Sequence, residues 1–512
     1  MNILIRTDSS LKMGSGHLMR CLTLADGLTE KGADIHFICR NLQGNLNYLV
    51  QERGYHLHLL PGPKDNFEPQ ADDTIHASWL EVSWQDDLNE TKGVSCFITK
   101  KFNWLIIDSY ALDYRWENGM RIFSDRIMVI DDMADRKHNC DLLLDQNYFS
   151  APEKRYDNLV SDNCLRVLGP QYALLRPEFR RAREFSKIKG SSATRILIYF
   201  GGNDHDNLTG MALDSLSCPE LEHLCIDVVV GPHNPHIMDL QEQINCRSKT
   251  RLHVQPKGFV ELLLRADLCI GAGGTTTWER FCLNTPGVVI TTALNQEAFN
   301  SELDEAGFLC CLGTKEDVSV QKIKAAALDE ILKLDNKDYL SYPTLVDGLG
   351  ALRIAEILLP SSKDTLIFRL TVMSDMEFYF SWVNDPIARK YAFSHENISW
   401  ENHKAWFEKK INSSSTAMWI IETAQGLPVG QIRFDIQDSI AEIDYSLDPY
   451  VRGRRWANTL LTKGINAFTS KYKQILVQAR VKNKNHPSCA AFKRIALAEE
   501  KPAEGVTLFH LT

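Results

Sequence analysis

"NILIRTDSSLKMGSGHLMRCLTLADGL", residues 2–28, opens the chain and combines a short apolar run, a polar loop and a helical pattern. NILI predicts a buried strand, and Gly14 and Gly16 lie in the loop that follows it. The apolar stripe of the next segment has helical spacing and consists of Leu18, Cys21, Leu22, Ala25 and Leu28. Strand, loop and helix in this order are the first half of a βαβ unit.

The same alternation of strands and helices continues over the first two thirds of the chain. The apolar runs of the first part are NILI, DIHFIC, HLHLL, WLIID, RIMVID and DLLLD. A polar stretch, EFSKIKGSSATR, then predicts a hinge, after which the alternation restarts with RILIYFGG, CIDVVVG, LHVQP, DLCIGAGG and GVVITT. We therefore expect two Rossmann-like α/β domains, at residues 1–176 and 190–358, with a ligand cleft between them.

The last part of the chain differs in character after the break LLPSSKDTL. Helical patterns come first, followed by alternating runs such as AMWIIET, LPVGQIRFDI and AEIDYSL. The segment RGRRWANTLLTKGINAF predicts a loop that enters a helix. Residues 364–512 are thus predicted to form a third domain of α+β type.

The composition limits the class of protein. The 512 residues are 44% hydrophobic and 24% charged, with a net charge of −9, so a nucleic-acid or anionic-membrane partner is not expected. No apolar run approaches the roughly 18–20 residues that span a bilayer, and the start of the chain lacks the pattern of a secretory signal. The 13 cysteines form no CxxC pair, which favours buried, reduced thiols in a cytoplasmic protein.

A glycine- and threonine-rich turn is the first candidate binding site. In DLCIGAGGTTTWERF a strand ends in glycines, and Gly273, Gly274 and Thr275 lead into a helix that favours a phosphate or diphosphate. Glu279, one turn further on, is placed to accept hydrogen bonds from ribose hydroxyls. A turn required only for tight packing is the alternative. Further strand ends of this domain carry Gly201 and Gly202 in YFGGND, and Asn295 and Gln296 in LNQ.

His17 is the candidate general base. It lies at the first turn of the opening helix, whose partial positive charge disfavours imidazolium and keeps the ring neutral. A neutral imidazole takes a proton from water, and Gly14 and Gly16 leave room for a substrate. A capping or packing histidine is the alternative.

Asp108 and Tyr110 follow another strand of the same domain. The next loop, DDMADRKHNCDLLLDQN, contains carboxylates that suit either a salt-bridged loop or a metal, but their spacing does not require a metal and none is predicted.

The motifs above, together with IIDSYALD and LGPQYALLRPEF, resemble the UDP-sugar hydrolases of bacterial pseudaminic acid synthesis over residues 1–358. That family is similar in fold to the N-acetylglucosaminyltransferase of peptidoglycan synthesis, a GT-B arrangement. The resemblance implies that UDP-2,4-diacetamido-2,4,6-trideoxy-β-L-altropyranose and water give UDP and free sugar, with inversion and without a metal. It implies that His17 activates the water, that Tyr110 assists at the sugar, and that Gly273, Gly274, Thr275, Glu279 and Asn295 bind the UDP-sugar. The sequence patterns above add further candidate substrate-binding residues, which are Gly14, Gly16, Asp108, Gly201, Gly202 and Gln296.

The C-terminal domain resembles the GCN5-related N-acetyltransferases (GNAT), especially the 4-amino-sugar acetyltransferase of the same pathway. The matching segments are residues 368–393, HKAWF, AEIDYSLDPYVRGRRWANTLL and NHPSCAAFKRI. The resemblance implies acetyl-CoA as cosubstrate, with its pyrophosphate on the loop RGRRWA, where Arg455 replaces the usual glycine. The implied acetyl-CoA-binding residues are Arg452, Gly453, Arg454, Trp456, Ala457, Asn485 and Ser488.

The sequence therefore predicts a bifunctional enzyme with two partners, a UDP-sugar and acetyl-CoA. A glycosyltransferase or an epimerase of the same fold, with a degenerate binding-only C-terminal domain, is the alternative. A protein that only binds a nucleotide-sugar, as a sensor, is a third hypothesis, but it gives no role to His17.

Overall fold

The computed structural model describes residues 1–63, 67–97, 101–186, 194–335 and 345–512, without the side chains of Phe97, Asp335 and Pro502. Residues 187–193, most of the predicted hinge, lie outside these ranges. Internal contacts divide the chain into two units, Met1–Ala355 and Glu356–Thr512.

A parallel sheet of seven strands forms the first domain, in the spatial order β3-β2-β1-β4-β5-β6-β7. Its strands are β1 (Asn2–Thr7), β2 (Asp34–Arg40), β3 (His56–Leu60), β4 (Phe102–Asp108), β5 (Ser124–Ile130), β6 (Leu142–Asp145) and β7 (Leu165–Leu168). The accompanying helices are α1 (Gly16–Thr29), α2 (Tyr48–Glu52), α3 (Trp84–Phe97) and α4 (Tyr114–Met120). Helix α5 (Pro177–Arg183) follows the last strand and packs against the second domain. The NILI run lies in the interior strand β1, and it is apolar throughout because a buried parallel strand is covered on both faces.

The second domain repeats this architecture with six parallel strands in the order β10-β9-β8-β11-β12-β13. Its strands are β8 (Arg195–Tyr199), β9 (Cys225–Val230), β10 (Thr250–Val254), β11 (Leu268–Ala272), β12 (Gly287–Thr291) and β13 (Cys310–Thr314). Its helices are α6 (Leu208–Ser215), α7 (Ile237–Asn245), α8 (Phe259–Arg265), α9 (Thr276–Cys282), α10 (Leu294–Glu305), α11 (Val320–Asp335) and α12 (Gly350–Leu358).

Helix α12 returns to the first domain. A Cβ added to Gly27 of α1 would lie 3.7 Å from the Ala355 Cβ, which is ordinary van der Waals contact. A Cβ at Gly350 would overlap the backbone of Ala173, so this close approach requires glycine. The start of α12 thereby ties the end of the second domain to the first.

The C-terminal unit is built on a mixed sheet in the order β14-β15-β16-β17-β18-β20-β19, antiparallel except for β17 and β18. Its strands are β14 (Ile367–Leu370), β15 (Thr416–Glu422), β16 (Pro428–Gln437), β17 (Ile440–Leu447), β18 (Leu476–Lys482), β19 (Ala498–Ala503) and β20 (Val506–His510). Its helices are α13 (Met376–Val383), α14 (Pro386–Tyr391), α15 (Trp400–Ile411), α16 (Trp456–Lys471) and α17 (His486–Lys493).

These sheets confirm the predicted fold class, two Rossmann-like domains in a GT-B arrangement followed by an α+β domain. All 13 cysteines are free; six are buried, but Cys96 and Cys246 are exposed, so the expectation of buried thiols is wrong for these two. None of the helices in the described ranges is long and apolar enough to cross a membrane.

Candidate active site

The loop between β1 and α1 brings His17 to the carboxyl edge of the first sheet. Ser10 and Gly14 form an isolated antiparallel bridge, and Gly14 closes that turn with φ of +75°, where glycine is favoured. Helix α1 begins at Gly16, so His17 follows at its first turn and is 8% exposed. The predicted position of the imidazole is thus observed.

Asp108 orients this imidazole. Thr7 pairs with Asp108 across β1 and β4, so the carboxylate emerges at the same edge as His17. The distance from His17 Nδ1 to Asp108 Oδ1 is 2.6 Å. Because a carboxylate only accepts, Nδ1 carries the hydrogen. This contact selects the tautomer whose Nε2 holds the lone pair in the neutral ring, which is the tautomer that a general base requires.

Arg20 holds Asp108 in the ionised form. Its Nε donates to Asp108 Oδ2 and its Nη2 to Oδ1, each at 2.6 Å, while Nη1 donates to Asp132 at 3.0 Å. Burial alone would raise the pKa of Asp108, but Arg20 and His17 together lower it well below its ordinary value. The carboxylate therefore remains an anion over the whole working pH range.

A small pocket lies over this dyad, lined by Asp8, Met13, His17, Trp79, Asp108, Ser109 and Tyr110. Aromatic rings form one wall. The Tyr110 ring meets the His17 ring edge-on at a centroid distance of 4.5 Å, and Trp79 lies 5.7 Å from Tyr110. His76 packs against both aromatic residues. A wall of this kind suits the apolar face of a sugar ring.

Tyr110 connects the two parallel sheets. Burial raises the pKa of its phenol well above the ordinary value, with a further contribution from Asp132, so the hydroxyl stays neutral. The Tyr110 hydroxyl is hydrogen-bonded to the Asn295 side chain at the start of α10. The two predicted residues therefore meet across the cleft.

The glycine- and threonine-rich turn faces the same cleft. A Cβ added to Gly16 would come within 4.0 Å of Thr275 Cγ2, so the turn lies opposite the start of α1. Gly273 has a packing reason of its own, since a Cβ there would overlap the Asn300 amide. A Cβ at Gly274 would lie 3.3 Å from Gln296 Nε2. The packing interpretation thus accounts for Gly273, whereas Thr275 faces the cleft.

The other predicted residues of the second domain lie along its carboxyl edge. Gly201 has φ of +92° and no atom near its missing Cβ, while Gly202 backs onto Gly231. Gln296 Oε1 accepts from the Thr292 backbone N–H at 3.1 Å, so Gln296 stabilises its own turn.

Glu279, in the helix that follows the glycine- and threonine-rich turn, has a carboxyl group with a raised pKa. Burial raises its pKa to about 7, although the Arg176 guanidinium 3.8 Å away opposes the shift.

Arg20, Asp132, Trp79 and His76 were not predicted as site residues. Arg20 carries a usable signal, because it lies three residues after His17 on the same helix face. The acidic loop that follows β5 is salt-bridged around Asp131, whose carboxylate lies 2.8 Å from Arg136 Nη1. Burial opposes ionisation, but Arg136 and His138 lower the pKa of Asp131 to about 2.

The loop RGRRWA of the C-terminal unit precedes α16. Gly453 and Arg455 have φ of +80° and +62°, so the chain keeps a left-handed conformation at Arg455. Arg452 Nη1 donates to Asp385 at 2.7 Å, and Arg454 is paired with Glu356. The side chains of Arg452 and Arg454 are therefore held by the C-terminal unit itself, and Arg455 is exposed. Trp456 is buried and Ala457 is half-buried.

A gap opens beside this loop where β17 and β18 part. Their pairing covers only Ile440–Glu442 with Leu476–Gln478, although both strands continue. Asn485 caps α17 by accepting from the Ser488 N–H at 3.3 Å, and the Ser488 hydroxyl lies 3.2 Å from the Tyr445 hydroxyl. The predicted acetyl-CoA residues thus flank the gap.

Comparison with known proteins separates the same two regions. Residues 365–497 match the model of the acetyltransferase (GNAT) domain. The UDP-2,4-diacetamido-2,4,6-trideoxy-beta-L-altropyranose hydrolase of Campylobacter jejuni is 25% identical over 309 residues, covering 60% of this chain and 98% of the relative.

Two further relatives align over longer stretches. The spore coat polysaccharide biosynthesis protein SpsG of Bacillus subtilis is 24% identical over 372 residues, 70% of this chain and 98% of the relative. The uncharacterized protein MJ1062 of Methanocaldococcus jannaschii is 23% identical over 436 residues, 82% of this chain and 80% of the relative. The chain therefore joins a region similar to these sugar-biosynthesis proteins to a C-terminal GNAT domain.

Proposed function

We propose that residues 1–355 hydrolyse a UDP-linked 2,4-diacetamido-2,4,6-trideoxy sugar to UDP and free sugar. The observation that carries the proposal is the His17–Asp108 pair at 2.6 Å, which lines a pocket together with Tyr110. From the second domain, Thr275 lies opposite Gly16 and Asn295 is hydrogen-bonded to Tyr110. The similarity to the Campylobacter jejuni hydrolase supports the choice of substrate.

His17 activates the water in this reaction. Nε2 takes a proton from the water as its oxygen forms a bond to the anomeric carbon. The C–O bond to the diphosphate breaks, and its electron pair leaves with UDP. Attack opposite the leaving group inverts the anomeric centre. Asp108 stabilises the imidazolium that forms, and the proton then passes to solvent.

The opposite side of the cleft binds and positions the substrate. UDP is already a stabilised anion, so the protein has to hold the diphosphate and place the anomeric carbon near His17. We assign the diphosphate to the turn at Gly274 and Thr275. The neutral Tyr110 hydroxyl and the Asn295 amide contact the sugar from the two domains. No step in this mechanism requires a metal.

Transfer of the sugar to an acceptor hydroxyl is the second candidate, because the same base would activate that hydroxyl. The name of the Bacillus subtilis relative refers to polysaccharide biosynthesis, and this supports sugar transfer as the second candidate. An NMR time course on the UDP-sugar, without any acceptor, separates the candidates. Free sugar and UDP support hydrolysis. Unchanged substrate contradicts hydrolysis, and a retained UDP linkage with altered stereochemistry indicates an epimerase.

Substitution of His17 tests the base. His17→Asn should lower kcat by a factor of about 10³ or more while UDP binding stays within a factor of two. The matched control is His223→Ala, an exposed histidine of the second domain, which should leave kcat unchanged. Full turnover in His17→Asn would overturn the assignment.

We further propose that the C-terminal domain acetylates the 4-amino precursor of this sugar with acetyl-CoA. The match to the GNAT family supports the cosubstrate, and the gap between β17 and β18 beside RGRRWA supports the place. Two consecutive steps on one chain would raise the local concentration of the shared intermediate. Mass spectrometry of the full chain with acetyl-CoA and the 4-amino UDP-sugar tests the step. An absence of both acetyl-CoA binding and acetylated product would contradict it.

A further inference from the structure

A cluster of three histidines and one aspartate lies away from the candidate active site. Asp34 and His36 are on β2, and His56 and His58 are on β3. Residues two apart in a strand share a face, and His36 pairs directly with His56, so all four side chains project from the same face of the sheet. They lie toward the amino-terminal ends of their strands, whereas His17 lies at the carboxyl edge.

Three of these side chains converge on one point. Asp34 Oδ2 is 3.6 Å from His36 Nε2, and Asp34 Oδ1 is 3.5 Å from His56 Nε2. One donor atom from each residue lies within 4.8 Å of the other two. Metal–ligand bonds of about 2.0–2.2 Å in a tetrahedral site place neighbouring donors about 3.4 Å apart. Each ring nitrogen lies close to this spacing from one carboxylate oxygen, with Oδ2 facing His36 and Oδ1 facing His56.

His58 stabilises the arrangement from the other side. Its Nε2 lies 3.1 Å from His36 Nδ1, and the two rings stack at a centroid distance of 5.4 Å. If His36 donates its Nδ1 hydrogen to His58, the His36 Nε2 lone pair points toward Asp34 and His56. Metal-binding histidines ordinarily donate their second ring nitrogen in this way.

We propose that Asp34, His36 and His56 bind a divalent transition-metal cation of the Zn²⁺ type, with His58 as the hydrogen-bond partner of His36. Two imidazole nitrogens favour such a cation over Ca²⁺ or Mg²⁺, which prefer all-oxygen sites. The His56 and Asp34 side chains are 62% and 54% exposed, so the cation enters directly from solvent.

The bound cation clamps the edge strand β3 to β2, since β3 is the last strand on this side of the sheet. It stabilises the fold and takes no part in the proposed hydrolysis.

Titration of the untagged, metal-free full-length protein tests the site. Isothermal titration with ZnCl₂ should show one saturable site, and CoCl₂ should give the visible spectrum of a low-symmetry nitrogen–oxygen complex. His56→Ala and Asp34→Asn should each weaken binding at least about 100-fold, and His58→Phe about 10-fold. The matched control, His223→Ala, removes another exposed histidine and should bind as the wild type does.

Three outcomes would overturn the proposal. They are absence of saturable binding, wild-type affinity in His56→Ala, and thiolate-to-cobalt charge-transfer absorption, which would place the metal on cysteines. His56 is exposed, so His56→Ala should fold, and circular dichroism checks this. Zn²⁺ should also raise the Tm of the wild type but not of His56→Ala. Hydrolysis should remain unchanged in His56→Ala, which separates this test from that of the proposed function.

Discussion

Asp108→Asn should lower kcat strongly while the fold and the substrate-binding residues of the site stay in place. The substitution keeps the size of the side chain but replaces an anion 2.6 Å from His17 Nδ1 with an amide. An amide N–H donated to Nδ1 would move the imidazole hydrogen to Nε2, where it blocks base catalysis. The loss of tautomer control and of imidazolium stabilisation predicts a fall in kcat of about 10³–10⁴, or about 4–5.5 kcal/mol in the barrier.

The same change affects stability, because Arg20 loses its bidentate partner in a buried site. Breaking a buried ion pair costs about 3–5 kcal/mol. The remaining contact from Arg20 Nη1 to Asp132, at 3.0 Å, places the expected loss at the lower end of that range.

The assay measures UDP release under saturating substrate, together with UDP affinity and Tm for each variant. Asp132→Asn is the matched control, since it also weakens the Arg20 network but leaves the pair of His17 and Asp108 intact. It should lower kcat less than about tenfold. If Asp108→Asn, folded and binding UDP normally, keeps kcat within tenfold of the wild type, the reasoning about the dyad is refuted.

Three further predictions concern other parts of the chain. Gly16→Ala should leave Tm unchanged, since its Cβ meets Thr275 Cγ2 only at 4.0 Å, but raise KM severalfold if substrate approaches there; an unchanged KM would contradict this. The pKa of Glu279 is raised to about 7 from an ordinary 4.5. The contribution of its protonated carboxyl group to the free energy of unfolding is therefore lost as pH rises from about 4.5 through 7. Between pH 4.5 and 8, the free energy of unfolding should therefore fall by about 3 kcal/mol less in Glu279→Gln than in the wild type. Urea titrations measure this difference, and the same pH dependence in both proteins would refute the raised pKa. Arg455→Gly should stabilise the C-terminal unit by about 1 kcal/mol because φ is +62°, whereas Gly453→Ala should destabilise it; thermal unfolding that ranks them in the reverse order would contradict the strain.

Much of the architecture could be predicted from local patterns in the sequence. The runs NILI and DLCIGAGG could be assigned because each combines a buried apolar strand with a glycine-rich exit, and these strands are β1 and β11. Among the strands of the two parallel sheets, β7 and β13 were not predicted. Their sequences, LRVL and CCLGT, are short and are interrupted by an arginine or a glycine, so they do not stand out as apolar runs in the way that LLLD of β6 does.

The candidate site was only partly predictable for a different reason. The residue types of His17, Asp108 and Tyr110 and their places after strands could be assigned from the sequence, but their pairing could not. Arg20 contacts Asp108 across 88 positions of sequence, and such a contact depends on which strands become neighbours. Gly273 shows the converse, because its lack of a Cβ is required by Asn300, a neighbour that no local pattern reveals.

The most direct test of the central claim is hydrolysis of the UDP-sugar in water enriched in oxygen-18. Delivery of water by His17 to the anomeric carbon predicts unlabelled UDP by phosphorus NMR and a first-formed free sugar that is labelled and inverted at C1. Label in the UDP phosphate would mean that water attacks phosphorus. That result, or a first-formed sugar with retained configuration, would contradict the mechanism built on His17 and Asp108.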